Sequence, residues 1–153
     1  MRTIPREVSR RETRDDPVEA TRRLLSDSNE SELMMYILGA LHDATYSTRH
    51  KTYRFSQSSE RWLQLLRIIF QKLDRKSWIY KEGKSRSVWV LETSTKLDVE
   101  RQPVSDNDKI AYVRGYFDTE GGMPKKNDQN LYFQFCQKGK DDLSNVRNWL
   151  HEL

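Results

Sequence analysis

A chain of 153 residues has room for one domain, or for two small halves around a shared core, and its single cysteine, Cys136, excludes an internal disulfide framework. Hydrophobic residues make up 35% and charged residues 33%, yet four Trp, seven Tyr and five Phe supply core material, while a net charge of +4 permits an acidic partner without specifying one. No apolar run reaches the length of a membrane span and no signal-peptide segment opens the chain, so a soluble intracellular protein is expected, in the cytoplasm or an organellar matrix.

Residues 1–31 read as a charged N-terminal arm: five arginines fall within the first fourteen residues, and a short helical pattern follows Pro17. Such an arm is either a frayed surface segment or a basic strap for phosphates. Ser31 and Glu32 open a helix through Leu33, Tyr36, Ile37, Gly39, Ala40 and Leu41 into His42-Asp43-Ala44-Thr45; it is apolar on nearly every side, the pattern of a buried helix. Residues 51–57 alternate, with Tyr53 and Phe55 on one face and Thr52, Arg54 and Ser56 on the other, which predicts a strand. Ser58-Ser59-Glu60 caps an amphipathic helix through Trp62, Leu63, Leu66, Ile69, Phe70 and Leu73. Residues 77–81 and 87–92 flank a turn near Gly83 and read as a hairpin.

A polar connection containing Pro103 leads to a second buried helix. Asp106 is its expected N-cap, Ile110, Val113 and Phe117 share a face, and Gly121-Gly122 with Pro124 ends it. Asp118 and Glu120 sit at its C-terminal end, where the negative pole of the macrodipole disfavours an anion unless a cation offsets it. A polar loop, a strand at 131–137 and a helix over 140–153 complete the chain.

These elements occur twice. Phe55-Ser56-Gln57 matches Phe135-Cys136-Gln137 at a spacing of 80 residues, which also places Arg54 on Gln134, Leu63 on Leu143, Leu66 on Val146, Arg67 on Arg147 and Leu73 on Leu153. Upstream, Tyr36 and Gly39 fall on Tyr112 and Gly115 at a spacing of 76. The ordered set of matches implies two similar halves, residues 32–105 and 106–153, related by a pseudo-two-fold axis. The second half lacks a counterpart of the hairpin, so it reads as a truncated or decayed product, or one completed by a homodimer or a partner chain.

The run Arg114-Gly115-Tyr116-Phe117-Asp118-Thr119-Glu120-Gly121-Gly122 resembles the LAGLIDADG motif of homing endonucleases, and the duplicated helix-strand-helix resembles their single-chain, two-motif form over residues 33–153. The resemblance implies an α+β fold of pseudo-two-fold repeats (helix-strand-helix-hairpin) with the second repeat shortened. It implies that Gly39, Ala40 and Gly115 let the two motif helices approach. It implies a site-specific double-stranded DNA endonuclease that hydrolyses phosphodiesters with Mg2+ or another divalent cation, or a degenerate descendant. Glu120 takes the metal-binding position of the second motif. In the first motif the strict register falls on Ala44, and Asp43 can serve only if the helix ends early or tightens in its last turn. Glu120 and Asp43 are therefore the expected catalytic and metal-binding acids, with a degenerate site as the alternative, and Glu120 reads otherwise as a solvated acid at a helix end. His42 reads as a packing or capping residue rather than a base.

On the DNA side, Thr52, Arg54 and Ser56, with their equivalents Tyr132, Gln134 and Cys136, are expected to share a groove-facing surface, where Arg and Gln can read base edges. Lys51, Lys81, Lys84, Arg86, Lys125 and Lys126 are the expected phosphate contacts. The runner-up is a non-catalytic nucleic-acid binder on the same scaffold, such as an intron-RNA maturase or a regulator. The third reading is an interaction domain whose motif helix forms a dimer interface.

Overall fold

The computed structural model describes residues 22, 25–83, 85, 87–122, 134–135 and 140–153. Residues 1–21, 23 and 24 of the proposed N-terminal arm, and Lys84, Arg86, Lys125, Lys126, Tyr132 and Cys136, lie outside the described residues.

The first motif helix, α1 (Glu30–Ala40), begins one residue before the expected Ser31, because Asn29 caps it by accepting from the Glu32 N–H. It ends earlier than its apolar run suggests. A 3-10 turn at Leu41–Asp43 follows, and Ala44 is already extended, opening strand β1 (Ala44–Ser47), whose first two residues, Ala44 and Thr45, are expected at the end of the helical run from sequence. Strand β2 (Thr52–Gln57) returns antiparallel to it, with Ala44 opposite Phe55 and Thr45 opposite Arg54. The amphipathic helix α2 (Glu60–Lys72) is capped by Ser59, and the hairpin β3 (Ser77–Glu82) and β4 (Val88–Thr93) turns through Gly83 at φ +74°, a left-handed conformation that favours glycine. The four strands make one antiparallel sheet in the order β1-β2-β4-β3.

Helix α3 (Asp106–Glu120) is capped by Ser105 rather than Asp106. The Ser105 hydroxyl accepts from the Asp108 N–H, while the Asp108 carboxylate accepts from the N–H groups of Val104 and Ser105, which is a reciprocal capping box. The helix runs straight into β5 (Gly121–Gly122), which pairs with β6 (Gln134–Phe135), and α4 (Lys140–Glu152) closes the chain. The repeat spacings survive in the element bounds: α1 and α3 both start 76 residues apart, and α2 and α4 start and end 80 apart.

Among the described residues the core has two parts. The larger joins α1, α2, β2 and β4 through Leu33, Tyr36, Ile37, Phe55, Leu63, Leu66, Phe70 and Leu91, and the smaller sits between α3 and α4 around Val113, Tyr116 and Val146. Ile110, expected on the buried face of α3, is instead 46% exposed, because the helix turns Ala111, Gly115 and Tyr116 inward.

What joins the halves is the contact of α1 with α3. A methyl group on Gly39 would overlap the Tyr112 carbonyl oxygen and crowd the Tyr116 nitrogen. One on Gly115 would overlap the Tyr36 carbonyl oxygen and crowd the Ala40 nitrogen. Since 36, 39 and 40 map onto 112, 115 and 116 at a spacing of 76, the two contacts are images of each other. The neighbours on both sides are backbone and cannot rotate away. Gly39→Ala and Gly115→Ala should therefore each lower stability by about 1–3 kcal/mol from overpacking, despite the roughly 1 kcal/mol that alanine adds to helix propensity. Urea unfolding midpoints test this, and an unchanged midpoint would mean that the helices are not in backbone contact.

Candidate functional site

The carboxylates of interest sit at the C-terminal ends of the two motif helices. Asp43 is the last residue of the 3-10 turn, which packs against α3. A 3-10 turn advances about 120° per residue against about 100° in an α-helix, so three such steps carry Asp43 roughly 60° further round the axis, toward the direction an α-helical residue 44 would take. Its carboxylate accepts a 2.5 Å hydrogen bond from Gln57 Nε2. Partial burial raises its pKa above the usual carboxylate value, with the Gln57 bond pulling the other way. Glu120 is the last residue of α3, half-buried, directly before Gly121.

Two tyrosines lock this region across the pseudo-dyad. Tyr36 donates to Asp118 Oδ2, and Tyr112, its repeat equivalent, pairs its hydroxyl with His42 Nε2 at 2.9 Å. Residues 42 and 118 are themselves 76 apart, so the two bonds are symmetry images with different acids and bases in the second position. Each of the two pairs also meets the start of an amphipathic helix: Trp62 Nε1 donates to the Tyr36 hydroxyl, and Asp142, the equivalent of Trp62 at a spacing of 80, lies 3.9 Å from His42 Nδ1. Burial first and then the neighbouring Asp142 push the Tyr112 hydroxyl up to about 12, so it stays protonated. The His42 ring stacks edge-on against Tyr116 at 4.6 Å, and burial lowers its pKa against the pull of Asp142. His42 is thus packed between the halves. The sequence reading missed this ring of contacts, although the match of Tyr36 with Tyr112 was its visible trace.

The open face of the sheet carries Arg54, opposite Glu92 on β4, which in turn faces Trp78 on β3. The Arg54 guanidinium donates to Glu82 Oε1 at 2.6 Å and to the Tyr80 hydroxyl at 3.2 Å. Tyr80 donates to Glu92 Oε2 at 3.0 Å, and Thr52 donates to the other Glu92 oxygen. Arg54, expected to read base edges, is therefore engaged by an internal acid. The register puts Ser56 on the same open face and exposed, whereas Lys81, opposite Trp89, belongs to the other face of the sheet. Lys51 stands exposed at the β1–β2 turn in a left-handed conformation at φ 54°, next to exposed Arg49 and His50. That basic tip went unread as a unit because β1 itself was not recognised. Gln134, exposed on β6, occupies in the second half the place of Arg54.

No protein-family model matches the chain, and no curated protein matches it in sequence. Solved structures do match. The N-terminal LAGLIDADG domain of DUF199/WhiA superposes with a TM-score of 0.69 at 16% identity, over 92% of this chain and 75% of that one. Full-length DUF199/WhiA from Thermatoga maritima gives 0.69 at 18% identity, over 89% of this chain and 49% of its own length. I-DmoI in complex with DNA and Mn gives 0.58 at 22% identity, over 82% and 79%. The chain has the LAGLIDADG fold.

Within that fold the donor set is compatible with magnesium, which binds through one or two carboxylates and fills its remaining positions with waters and phosphate oxygens. Asp43 and Glu120 are the carboxylates at the ends of the two motif-helix segments. Among the described residues no group of three or more His, Cys, Asp or Glu comes together as a self-sufficient metal cage. The raised pKa of Asp43 also has a thermodynamic consequence. An acid whose folded pKa lies above its ordinary 3.8 carries a penalty at every pH above the folded value, and that penalty is relieved as pH falls through it. Asp43→Asn, which can still accept from Gln57, should therefore be more stable than the parent at pH 7. The difference should shrink as pH drops toward 4, as read from urea unfolding at a series of pH values. A gap that widens on acidification would show that Asp43 is stabilised as an anion.

Proposed function

We propose that this chain binds double-stranded DNA, using the open side of its LAGLIDADG scaffold and the basic tip at Arg49, His50 and Lys51. The observation that carries the reading is the reciprocal closure of α1 on α3, through Gly39 and Gly115 and the image bonds Tyr36–Asp118 and Tyr112–His42. It makes the two repeats one rigid unit, and I-DmoI, with the same fold, is a DNA complex. Lys51, Ser56 and Gln134 are the proposed contacts among the described residues, with Lys84, Arg86, Lys125 and Lys126 as further phosphate contacts, whereas Lys81 lies on the opposite face of the sheet and drops out. Arg54 contributes less than its type suggests, because Glu82 holds it.

Cutting is the second reading, favoured by the placement of Asp43 and Glu120 at repeat-related helix ends. Together they would hold a magnesium ion, which would supply positive charge to the phosphodiester and its departing oxygen. The chain's own part is to hold the two carboxylates on rigid helices and to keep Asp43 oriented through Gln57. Intron RNA is the remaining ligand of the same chemistry, and competition by duplex DNA separates it.

Duplex binding should weaken steeply with salt, since each neutralised phosphate contributes close to one unit of slope in a plot of log affinity against log salt. A flat response would sink the DNA reading. Glu82→Gln, which frees the Arg54 guanidinium, should tighten binding several-fold and steepen the slope by about one unit. A magnesium cleavage assay on a duplex library addresses the second reading: if the parent cuts and Glu120→Gln cuts equally well, Glu120 does not belong to the site.

A further inference from the structure

Three of the four tryptophans are core material: Trp62 and Trp89 pack against the larger cluster and Trp149 against the smaller. Among the described residues Trp78 belongs to neither cluster. The pairing of β3 with β4 sets it opposite Glu92, which in turn faces Arg54 on β2, so the indole lies on the open side of the sheet, half-buried. Tyr80 shares that side two residues along, about 7 Å further up the strand. Its hydroxyl donates to Glu92 and accepts from Arg54, which fixes the attitude of its ring. Both rings line a cavity of about 590 Å³ with His50, Thr52, Arg54 and Glu92. The cavity opens at the end of the sheet where the β1–β2 turn carries exposed Arg49 and Lys51.

We propose that this cavity takes an unpaired nucleobase, stacked on Trp78, from a single strand of nucleic acid whose backbone passes the β1–β2 tip. The ring chemistry separates such a ligand from a duplex. Within a duplex each base face is covered by its neighbours, and a protein meets only base edges, sugars and phosphates. Polar and cationic side chains, as at Ser56 and Lys51, suit those groups, whereas an indole offers chiefly its face. An unpaired base has a bare face, and aromatic rings on an open antiparallel sheet form a platform for it. The volume falls in the range of small-ligand pockets. Both Glu92 oxygens are already engaged, by Thr52 and Tyr80, and their negative charge keeps phosphates out of the cavity itself. The base therefore enters and the phosphates stay outside, toward Arg49 and Lys51. Single-strand binding rests on the nucleic-acid reading of this face and adds a class of ligand to it.

The probes are short labelled strands of equal length, oligothymidylate, oligouridylate and an abasic DNA strand, titrated into the full chain by fluorescence anisotropy. A strand with bases should bind at least about fivefold more tightly than the abasic strand, the order of one base stacked on an aromatic ring. Trp78→Ala should abolish that preference and Trp78→Phe, which keeps a ring, should retain most of it, with circular dichroism unchanged in both. Whichever of thymidylate and uridylate shows the larger Trp78-dependent preference identifies the strand as DNA or RNA, and either supports the stack. Equal affinity for base-bearing and abasic strands overturns the proposal and needs no variant. A preference for bases that survives Trp78→Ala overturns it too. A blunt duplex assayed alongside keeps the two readings apart: duplex binding without a base preference among single strands sinks the stack alone, and the reverse result sinks the duplex reading alone.

Discussion

Two backbones approach each other at Gly39 and Gly115 more closely than any side chain would permit, and the architecture follows from that approach. It brings the carbonyls of Tyr36 and Tyr112 against the opposite helix, sets their side chains reaching across the interface, and fixes the ends of α1 and α3 in relation to one another. Without water between them, helices at this distance gain dense dispersion contacts along their length. Ordinary amphipathicity has little part in it. Both motif helices are buried on several sides, and α3 carries charged and polar residues where its partner does not cover it.

Polar side chains then determine what each half contributes. In the first half an aromatic indole supports Tyr36, whereas in the second an aspartate stands near the His42–Tyr112 pair. The two halves therefore use one geometry with different chemistry. The same divergence appears on the open face, where Arg54 sits in a chain of bonds running from Glu82 through Tyr80 to Glu92 and Thr52. A cation so held is pre-oriented but partly neutralised, so any anion approaching the sheet meets a nearly balanced surface at its centre and net positive charge at the β1–β2 tip.

Much of the fold was legible because the sequence repeats. Leu63, Leu66 and Leu73 aligned with Leu143, Val146 and Leu153 gave the bounds of α2 and α4, and the run around Gly115 identified the motif helix. Local pattern failed where a short element adjoined a long one. Ala44–Ser47 follows the 3-10 turn without a break, and the apolar run before it carries the helical reading into Ala44 and Thr45. Partnerships over long separations were beyond any local pattern: Tyr36 reaches Asp118 across 82 residues and Arg54 reaches Glu82 across 28. The side of the sheet on which Lys81 lies likewise required the pairing register. The placement of Asp43 was readable only as a condition, because a sequence does not announce where an α-helix tightens.

The unequal burial of α2, which encloses Leu63, Leu66 and Phe70, and α4, which exposes Leu150 and is followed by exposed Leu153, also bears on how the molecule comes apart. The first half holds a four-stranded sheet and a continuous core of its own, while the second leans on Val113, Tyr116 and Val146 and on its grip on α1. Local stability within one chain follows buried contact density. Among the described residues the second half has the fewer buried contacts, so helix α4 is expected to open first, releasing Trp149 from Tyr112 while the sheet of the first half stays closed. The two repeats, alike in the spacing of their helices, are then a durable half and a labile half of one molecule.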